Sequence, residues 1–301
     1  MKGKSVLISG AGIAGPTLAY WLLKNGSEPV MVERGPIFRE GGYMIDFWGL
    51  GLEVAERMGF LPRLREVGYK IDSVQFVDEE NRLRSSLAAS LFSRALGDRF
   101  VSLPRGDLAR AIFDLVADRV EVIFGDSVTA LREEGDGVEV TFAHAAPRRF
   151  DLVAGCDGLH SAMRATVIGT EEKFEKYLGY FAASFLTNGY PWRDERTYHS
   201  YAAPGRQISR YALRGDRTAF LFVFAREDGR ERAGHDENPR RLLRETFGRD
   251  RWVETPEILR RLDACDDLYF DSVSQLCSAH LVWIVRPRPG LAPGFLFSTG
   301  S

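Results

Sequence analysis

The chain has 301 residues, 45% of them apolar, and its 40 basic and 42 acidic residues leave a net charge of −2. That is enough apolar material for one large or two ordinary cores and excludes a disordered chain. The near-neutral balance gives no electrostatic reason to expect nucleic acid or an anionic membrane as partner. Three cysteines, Cys156, Cys265 and Cys277, are odd in number and form no C-x-x-C pair, so neither a disulfide framework nor a zinc site is supported. A cytoplasmic protein, monomer or homodimer, acting on small molecules is expected. No run approaches about 18 uncharged apolar residues, and glycines break the apolar stretch after Met1-Lys2-Gly3-Lys4 too early for a signal peptide.

In chain order, residues 5–9 read as a short buried strand, 13–24 carry helical spacing, and 29–33 are apolar again. Pro16 falls in the first helical turn, where its missing N–H is harmless, and Asn25-Gly26 supplies the helix stop. After Gly41, Gly42, Gly49 and Gly51 a helix is predicted at 51–67, followed by a mixed region to 104. Asp107 is expected to cap a helix whose apolar face is Leu108, Ile112, Phe113, Leu115 and Val116. Strands are predicted at 120–124, 128–132, 138–142 and 150–154, with Glu134-Gly135-Asp136-Gly137 as a hairpin turn.

Residues 170–271 change character, with aromatic runs at 177–186 and 218–224, a charged stretch at 226–241, and helices near 238–247 and 257–262. Thr255-Pro256-Glu257 reads as N-cap, N1 proline and acidic first turn. The expected fold is α/β: a Rossmann-type domain of 1–169, containing a βαβ unit and a β-meander, to which 272–301 return. A second α+β domain of 170–271 is built on a mostly antiparallel sheet.

The chemistry starts at Ser9-Gly10-Ala11-Gly12-Ile13-Ala14-Gly15. In such a loop Gly10 makes the tight turn, Gly12 lets backbone approach a pyrophosphate, and Gly15 packs helix on strand. The helix N-terminus then presents unpaired N–H groups to the phosphates. Glu33 ends the second strand 18 residues after Gly15, where a carboxylate takes the ribose diol. Gly10, Gly12, Ala14, Gly15, Glu33 and the adjoining Arg34 are therefore the candidate nucleotide contacts. NAD and FAD share the ADP half that this unit would bind, so the loop alone leaves the two open.

Three further segments bear on that choice: Pro104-Arg105-Gly106-Asp107-Leu108, Asp157-Gly158-Leu159-His160-Ser161-Ala162-Met163-Arg164, and Arg39-Glu40-Gly41-Gly42-Tyr43-Met44-Ile45-Asp46. With the glycine loop they resemble the class A flavoprotein monooxygenases, the family of para-hydroxybenzoate hydroxylase and the tetracycline-inactivating hydroxylases, from residue 1 to about 276. The resemblance implies FAD as cofactor, with Arg105 reaching it and Asp157 and Gly158 near its pyrophosphate and ribityl chain. In the third segment, Arg39 corresponds to an arginine implicated in NADPH use and Asp46 to an aspartate near the flavin. It further implies NAD(P)H as co-substrate, O₂, and hydroxylation of an aromatic or polycyclic small molecule through a flavin C4a-hydroperoxide. No catalytic side chain is marked out by spacing, and His160, alone in its motif, reads as structural. Tyr177, Tyr198, Tyr201, Tyr211 and the aromatics of 220–224 are candidates for an apolar pocket, although most suit a packed sheet.

The C-terminal text departs from the family. A strand followed by Gly-Asp is expected after residue 276, and that position falls at Pro287-Arg288. The missing aspartate and the end at Ser301 fit a truncated or frame-shifted reading, or a rebuilt C-terminus, and leave an inactive ADP-binding fragment or a related flavin reductase as the alternative. A halogenase would want W-x-W-x-I-P, which Trp283-Ile284 does not make.

Overall fold

The computed structural model describes residues 2–38, 43–91, 99–226, 238–276, 283–285 and 295–297. Arg39, Gly41, Gly42, Cys277, the expected Gly-Asp position and most of the charged stretch at 226–241 lie outside these residues. The strands are β1 (Ser5–Ser9), β2 (Glu28–Glu33), β3 (Met44–Trp48), β4 (Ser73–Val77), β5 (Leu83–Ala88), β6 (Phe100–Pro104), β7 (Glu121–Phe124), β8 (Val128–Glu134), β9 (Gly137–Phe142), β10 (Arg148–Phe150), β11 (Leu152–Gly155), β12 (Glu175–Asn188), β13 (Thr197–Ala203), β14 (Arg206–Ala212), β15 (Arg217–Ala225), β16 (Leu268–Leu276), β17 (Trp283–Val285) and β18 (Phe295–Phe297). The helices are α1 (Ala14–Lys24), α2 (Leu50–Arg57), α3 (Leu61–Val67), α4 (Arg105–Phe113), α5 (Ala162–Val167), α6 (Pro239–Phe247) and α7 (Thr255–Ala264).

Two compact units result, Met1–Glu40 with Leu108–Lys176 and Gln275–Ser301, and Gly41–Asp107 with Tyr177–Ser274. The first holds a six-stranded sheet in the order β18-β17-β11-β1-β2-β7. Strands β11, β1, β2 and β7 run parallel, and β17 joins β11 antiparallel. Both faces of β1 are covered, as a parallel sheet requires. Val6 and Ile8 pack with Ala19 and Leu22 of α1 and with Met31, Phe113 and Val116, while Leu7 packs with the valines of the β8-β9-β10 meander. The apolar run at 150–154, predicted as one strand, is cut in two at Asp151. β10 pairs with β9 and β11 with β1, and Asp151 takes Lys4 Nζ, Ser5 N–H and Ser5 Oγ–H at 2.7, 2.8 and 2.9 Å.

The second unit is built on a seven-stranded sheet in the order β16-β12-β15-β14-β13-β4-β5. The pairs around β12, β15, β14 and β13 are antiparallel; β4 joins β13 in parallel. One face carries Phe181, Phe185, Phe220, Phe222 and Phe224, buried against Leu243 and Phe247 of α6, Trp252, and Ile258 and Leu262 of α7. These aromatics are core, and so is Tyr201. Residues 41–107, placed with the first domain by sequence, group here because Ser73–Val77 hydrogen-bonds to the strand at 197–203.

Four predicted details shift. The helix expected at 51–67 is two, α2 and α3, separated at Gly59 with φ +79°. Asp107 does not cap its helix: α4 opens at Arg105 and places Asp107 within the first turn, where its charge still complements the helix dipole. That helix stops at Phe113, so Leu115 and Val116 follow it in a turn. Finally, the N-cap of α7 is Glu254, one residue before Thr255. Glu254 is fully buried and held by Arg210, which fixes where that helix begins.

Candidate functional site

The carboxyl ends of β1, β2 and β11 meet around the glycine loop. Gly10 follows β1 with φ +104°, and a Cβ there would stand 2.5 Å from the Cys156 carbonyl oxygen and 2.9 Å from Asp157 Cα. A Cβ on Gly15 would stand 1.9 Å from the Gly10 carbonyl oxygen, so the start of α1 folds back only over glycine. Gly12 differs from both: among the described residues nothing lies within 4 Å of its ideal Cβ position. The fold itself requires Gly10 and Gly15, whereas at Gly12 the missing side chain leaves space for something outside the chain.

The surroundings of that space suit an anion. Helix α1 opens on Ile13 with no side-chain cap and no acidic residue in its first turn, leaving its N-terminal dipole end uncompensated. Exposed Ala14 is its first residue. Glu33 is held at the end of β2 by two backbone donors, Ala11 N–H to Oε2 at 2.9 Å and Gly35 N–H to Oε1 at 2.8 Å. Each oxygen keeps a second lone pair for a hydroxyl donor. Arg34 is exposed beside it. A diphosphate at the loop and a diol at Glu33 match these donors and acceptors, and the residues fit an ADP-containing cofactor.

Past β11, Gly158 takes φ +84°, a left-handed turn that glycine accommodates without strain. Asp157 organises the chain from there to α5: its Oδ1 accepts from Ser161 Oγ at 2.5 Å and its Oδ2 from Met163 N–H at 3.0 Å. Ser161 in turn caps α5 by accepting the Arg164 N–H at 2.9 Å. The Arg164 side chain is buried and donates to the carbonyls of Leu159 and Gly158 at 2.5 and 3.5 Å. The Asp-Gly-x-x-Ser-x-x-Arg spacing is thus a self-capped turn beside the glycine loop. His160 is outside this arrangement and faces Glu171, with Nδ1 to Oε1 at 2.7 Å. Burial, with Asp157 alongside, pushes the Cys156 thiol up to about 12, so it stays protonated at neutral pH.

Asp46 and Arg105 belong to the second unit and lie on or beside one ribbon. β3 and β6 form that antiparallel ribbon, which pairs Asp46 with Ser102, and the Arg105 N–H donates to the Tyr43 carbonyl at 2.9 Å. Ser102 is fully buried and its Oγ donates to Asp46 Oδ1 at 2.6 Å. Ser102 also hydrogen-bonds Tyr198, whose phenol burial and the nearby Asp46 hold above the ordinary range. The side chains of Asp46 and Arg105 are exposed.

Of the sequence candidates, the structure therefore gathers Gly10, Gly12, Ala14, Gly15, Glu33, Arg34, Asp157 and Gly158 in one unit, and Asp46 and Arg105 in the other. Ser102 and Tyr198 were missed as partners of Asp46, because no local spacing connects positions 46, 102 and 198. Among the described residues no cluster of His, Cys, Asp or Glu could hold a metal, and no helix is long and apolar enough to cross a membrane.

The chain matches the FAD binding domain family model over residues 4–266. It is 36% identical over 283 residues to an uncharacterized protein of Mycobacterium tuberculosis, covering 91% of this chain and 73% of that protein. A flavin-dependent monooxygenase of Legionella longbeachae is 29% identical over 276 residues, covering 91% of this chain and 70% of the relative. Among solved structures, a tetracycline destructase superposes with a TM-score of 0.78 at 28% identity, over 91% of this chain and 70% of that one.

Proposed function

From the premise that the chain belongs to the FAD binding domain family of class A FAD-dependent monooxygenases, we propose that it uses NAD(P)H and O₂ to hydroxylate an aromatic or polycyclic small molecule. The observation that carries the cofactor assignment is the open Cβ position of Gly12 between two glycines that the fold itself needs. In this reading Gly10, Gly12 and Gly15 bring backbone to the FAD pyrophosphate, with the N-terminus of α1 at Ala14 facing it. Glu33 accepts the ribose hydroxyls, Arg34 flanks the adenosine half, and the Asp157-Gly158 turn backs the far side of the loop. Arg105 and Asp46 serve the flavin half, and Arg39 serves NAD(P)H; both assignments rest on the family resemblance.

When bound, FAD supplies hydride acceptance and oxygen activation. The chain's own residues hold and orient. Glu33 ties the adenosine end to β2, Asp157 and Ser161 fix the turn after β11, and the buried Ser102 donates a hydrogen bond to the Asp46 carboxylate. The substrate class is supported by the likeness to a tetracycline destructase.

The test is direct. Purified protein should be yellow or take up FAD stoichiometrically. NADPH or NADH oxidation should then accelerate when phenolic or polycyclic candidates are added, with a product one oxygen atom heavier by mass spectrometry. A colourless protein that takes up no FAD on titration overturns the reading.

A further inference from the structure

Tyr198, Tyr211 and Tyr69 form a run of touching rings inside the second unit. The Tyr198 and Tyr211 rings stack with centroids 4.6 Å apart and planes at 28°, and Tyr69 meets Tyr211 edge-on at 5.6 Å. Packing alone accounts for the ring contacts, since Tyr211 sits in a core cluster with Ile71, Leu213 and Ala219. It does not account for what the three hydroxyls meet.

The Tyr198 hydroxyl has a path for its proton. It is hydrogen-bonded to Ser102, which is fully buried. Ser102 gives its own O–H to Asp46 Oδ1 at 2.6 Å, so the phenol donates and Ser102 Oγ accepts. Asp46 is exposed, and the path runs from a buried phenol to a carboxylate in water. The neighbouring rings are placed differently. Tyr211 is 2% exposed, and its hydroxyl has no hydrogen-bond partner among the described residues. The Tyr69 hydroxyl accepts the Arg214 N–H at 3.1 Å, and the Arg214 guanidinium lies 4.3 Å from the centroid of that ring. A cation over a ring opposes removal of an electron from it. Burial and the nearby Asp46 charge make simple ionisation of Tyr198 unfavourable, which leaves joint loss of an electron and a proton as its accessible chemistry.

We propose that Tyr198 is a redox-active tyrosine that gives one electron to oxidants of the oxygen-radical class, with Ser102 and Asp46 taking its proton. In that step the oxidant gains the electron and the Tyr198 O–H bond breaks. The phenol proton passes to Ser102 Oγ while the Ser102 proton passes to the Asp46 carboxylate. The products are a neutral tyrosyl radical, the reduced oxidant and the Asp46 carboxylic acid. The stacked Tyr211 ring shares the positive charge that develops as the electron leaves. Oxygen radicals are the by-products expected of a flavin monooxygenase, so the protective role of Tyr198 rests on that reading, whereas its redox chemistry does not.

The experiment supplies its own oxidant. The 301-residue chain, with and without FAD, is mixed with tris(bipyridine)ruthenium(II) and persulfate, and light generates ruthenium(III), which takes one electron. The tyrosyl radical is followed by its visible absorbance and, after freezing, by electron paramagnetic resonance. Tyr198→Phe should remove most of the early signal, and Tyr180→Phe, at a tyrosine 46% exposed, should leave it unchanged. Asp46→Asn keeps an acceptor for Ser102 but no place for the proton. It should slow radical formation about tenfold, the size of one hydrogen-bond effect, and Ser102→Ala should do the same. Radical formation in the parent should slow in D₂O, and in Ser102→Ala it should not. An early signal that survives Tyr198→Phe, or a parent rate matched by Asp46→Asn, would overturn the proposal. Failure to take up FAD would sink the monooxygenase reading, while the chain without FAD still tests Tyr198.

Discussion

Glu33 receives the Ala11 N–H on Oε2 at 2.9 Å, a bond that ties the end of β2 to the glycine loop 22 residues earlier. The other carboxylate oxygen takes the Gly35 N–H at 2.8 Å, so both oxygens face backbone donors. Glu33→Gln keeps the shape but turns one acceptor into an NH₂ that opposes an N–H. A hydrogen bond to a charged group is worth about 1.5–3 kcal/mol, so FAD affinity should fall roughly 10- to 100-fold. The opposed NH₂ and N–H are present without FAD as well, so the apo protein should also lose about 1–3 kcal/mol. Titration with FAD, followed by quenching of its fluorescence, together with an apo thermal melt, measures both arms, and an unchanged affinity removes Glu33 from the cofactor contacts.

Gly12 and Gly15 lie in one motif and should fail differently. A Cβ on Gly15 overlaps the Gly10 carbonyl oxygen at 1.9 Å, a backbone atom that cannot rotate away. Gly15→Ala should therefore destabilise the apo protein by several kcal/mol, in the range of severe overpacking. Gly12→Ala meets nothing within 4 Å in the chain itself. Its apo melting temperature should match the parent while FAD binding drops at least as far as in Glu33→Gln. Thermal melts with and without FAD distinguish the cases; a Gly12→Ala protein that binds FAD normally would remove the diphosphate from that space.

The parts of this architecture that sequence reveals are the local ones. The strand, glycine loop, helix and strand over residues 5–33 are legible because turn glycines, Pro16 and Asn25-Gly26 lie within a few residues of what they control. The Asp157 turn is legible for the same reason. The grouping of 41–107 with the second unit is not, because it depends on β4 pairing with a strand more than 100 residues later. The Asp46–Ser102 bond spans 56 residues and depends on a ribbon between two short strands. Asp151 shows the limit within a single run: apolar periodicity continues through 150–154, and only the donors at Lys4 and Ser5 show that the chain changes sheets there.

The buried ion pair of the second unit should be expensive to break. Glu254 Oε2 accepts from Arg210 Nε at 2.8 Å and from the Tyr190 hydroxyl at 2.7 Å, and its Oε1 accepts from Asn81 Nδ2 at 3.0 Å. Asn81 Oδ1 then takes the Trp252 indole N–H at 2.6 Å, which locks the turn after β4 to the helical layer. Glu254→Ala leaves the Arg210 charge buried and alone, and the expected loss is about 3–5 kcal/mol by urea denaturation. The double variant Glu254→Met with Arg210→Met should recover much of it, since removing both charges removes the orphan. A single variant as stable as the parent would show that water already reaches the pair.

Acid should loosen the second unit at Glu257. Hydrogen bonds from Arg260 and then Arg261 hold its carboxyl down to about 2, from an ordinary value near 4.5. A folded value below the unfolded one means the stabilisation is complete above about pH 4.5 and is lost as pH falls toward 2. The loss is specific in place: Arg261 Nε bonds Glu257 Oε1 at 2.8 Å while its other nitrogens donate to the Asn188 and Gly189 carbonyls at 2.5 and 2.9 Å. Protonating Glu257 therefore releases the arginine that joins α7 to the end of β12. The groups are partly solvated, so the effect is modest and should shrink in high salt. Urea denaturation of the parent and of Glu257→Gln from pH 6 to pH 2 should give a stability difference that is constant above pH 5 and closes by pH 2. A difference that ignores pH across that range would show that packing, rather than charge, joins Glu257 to the two arginines.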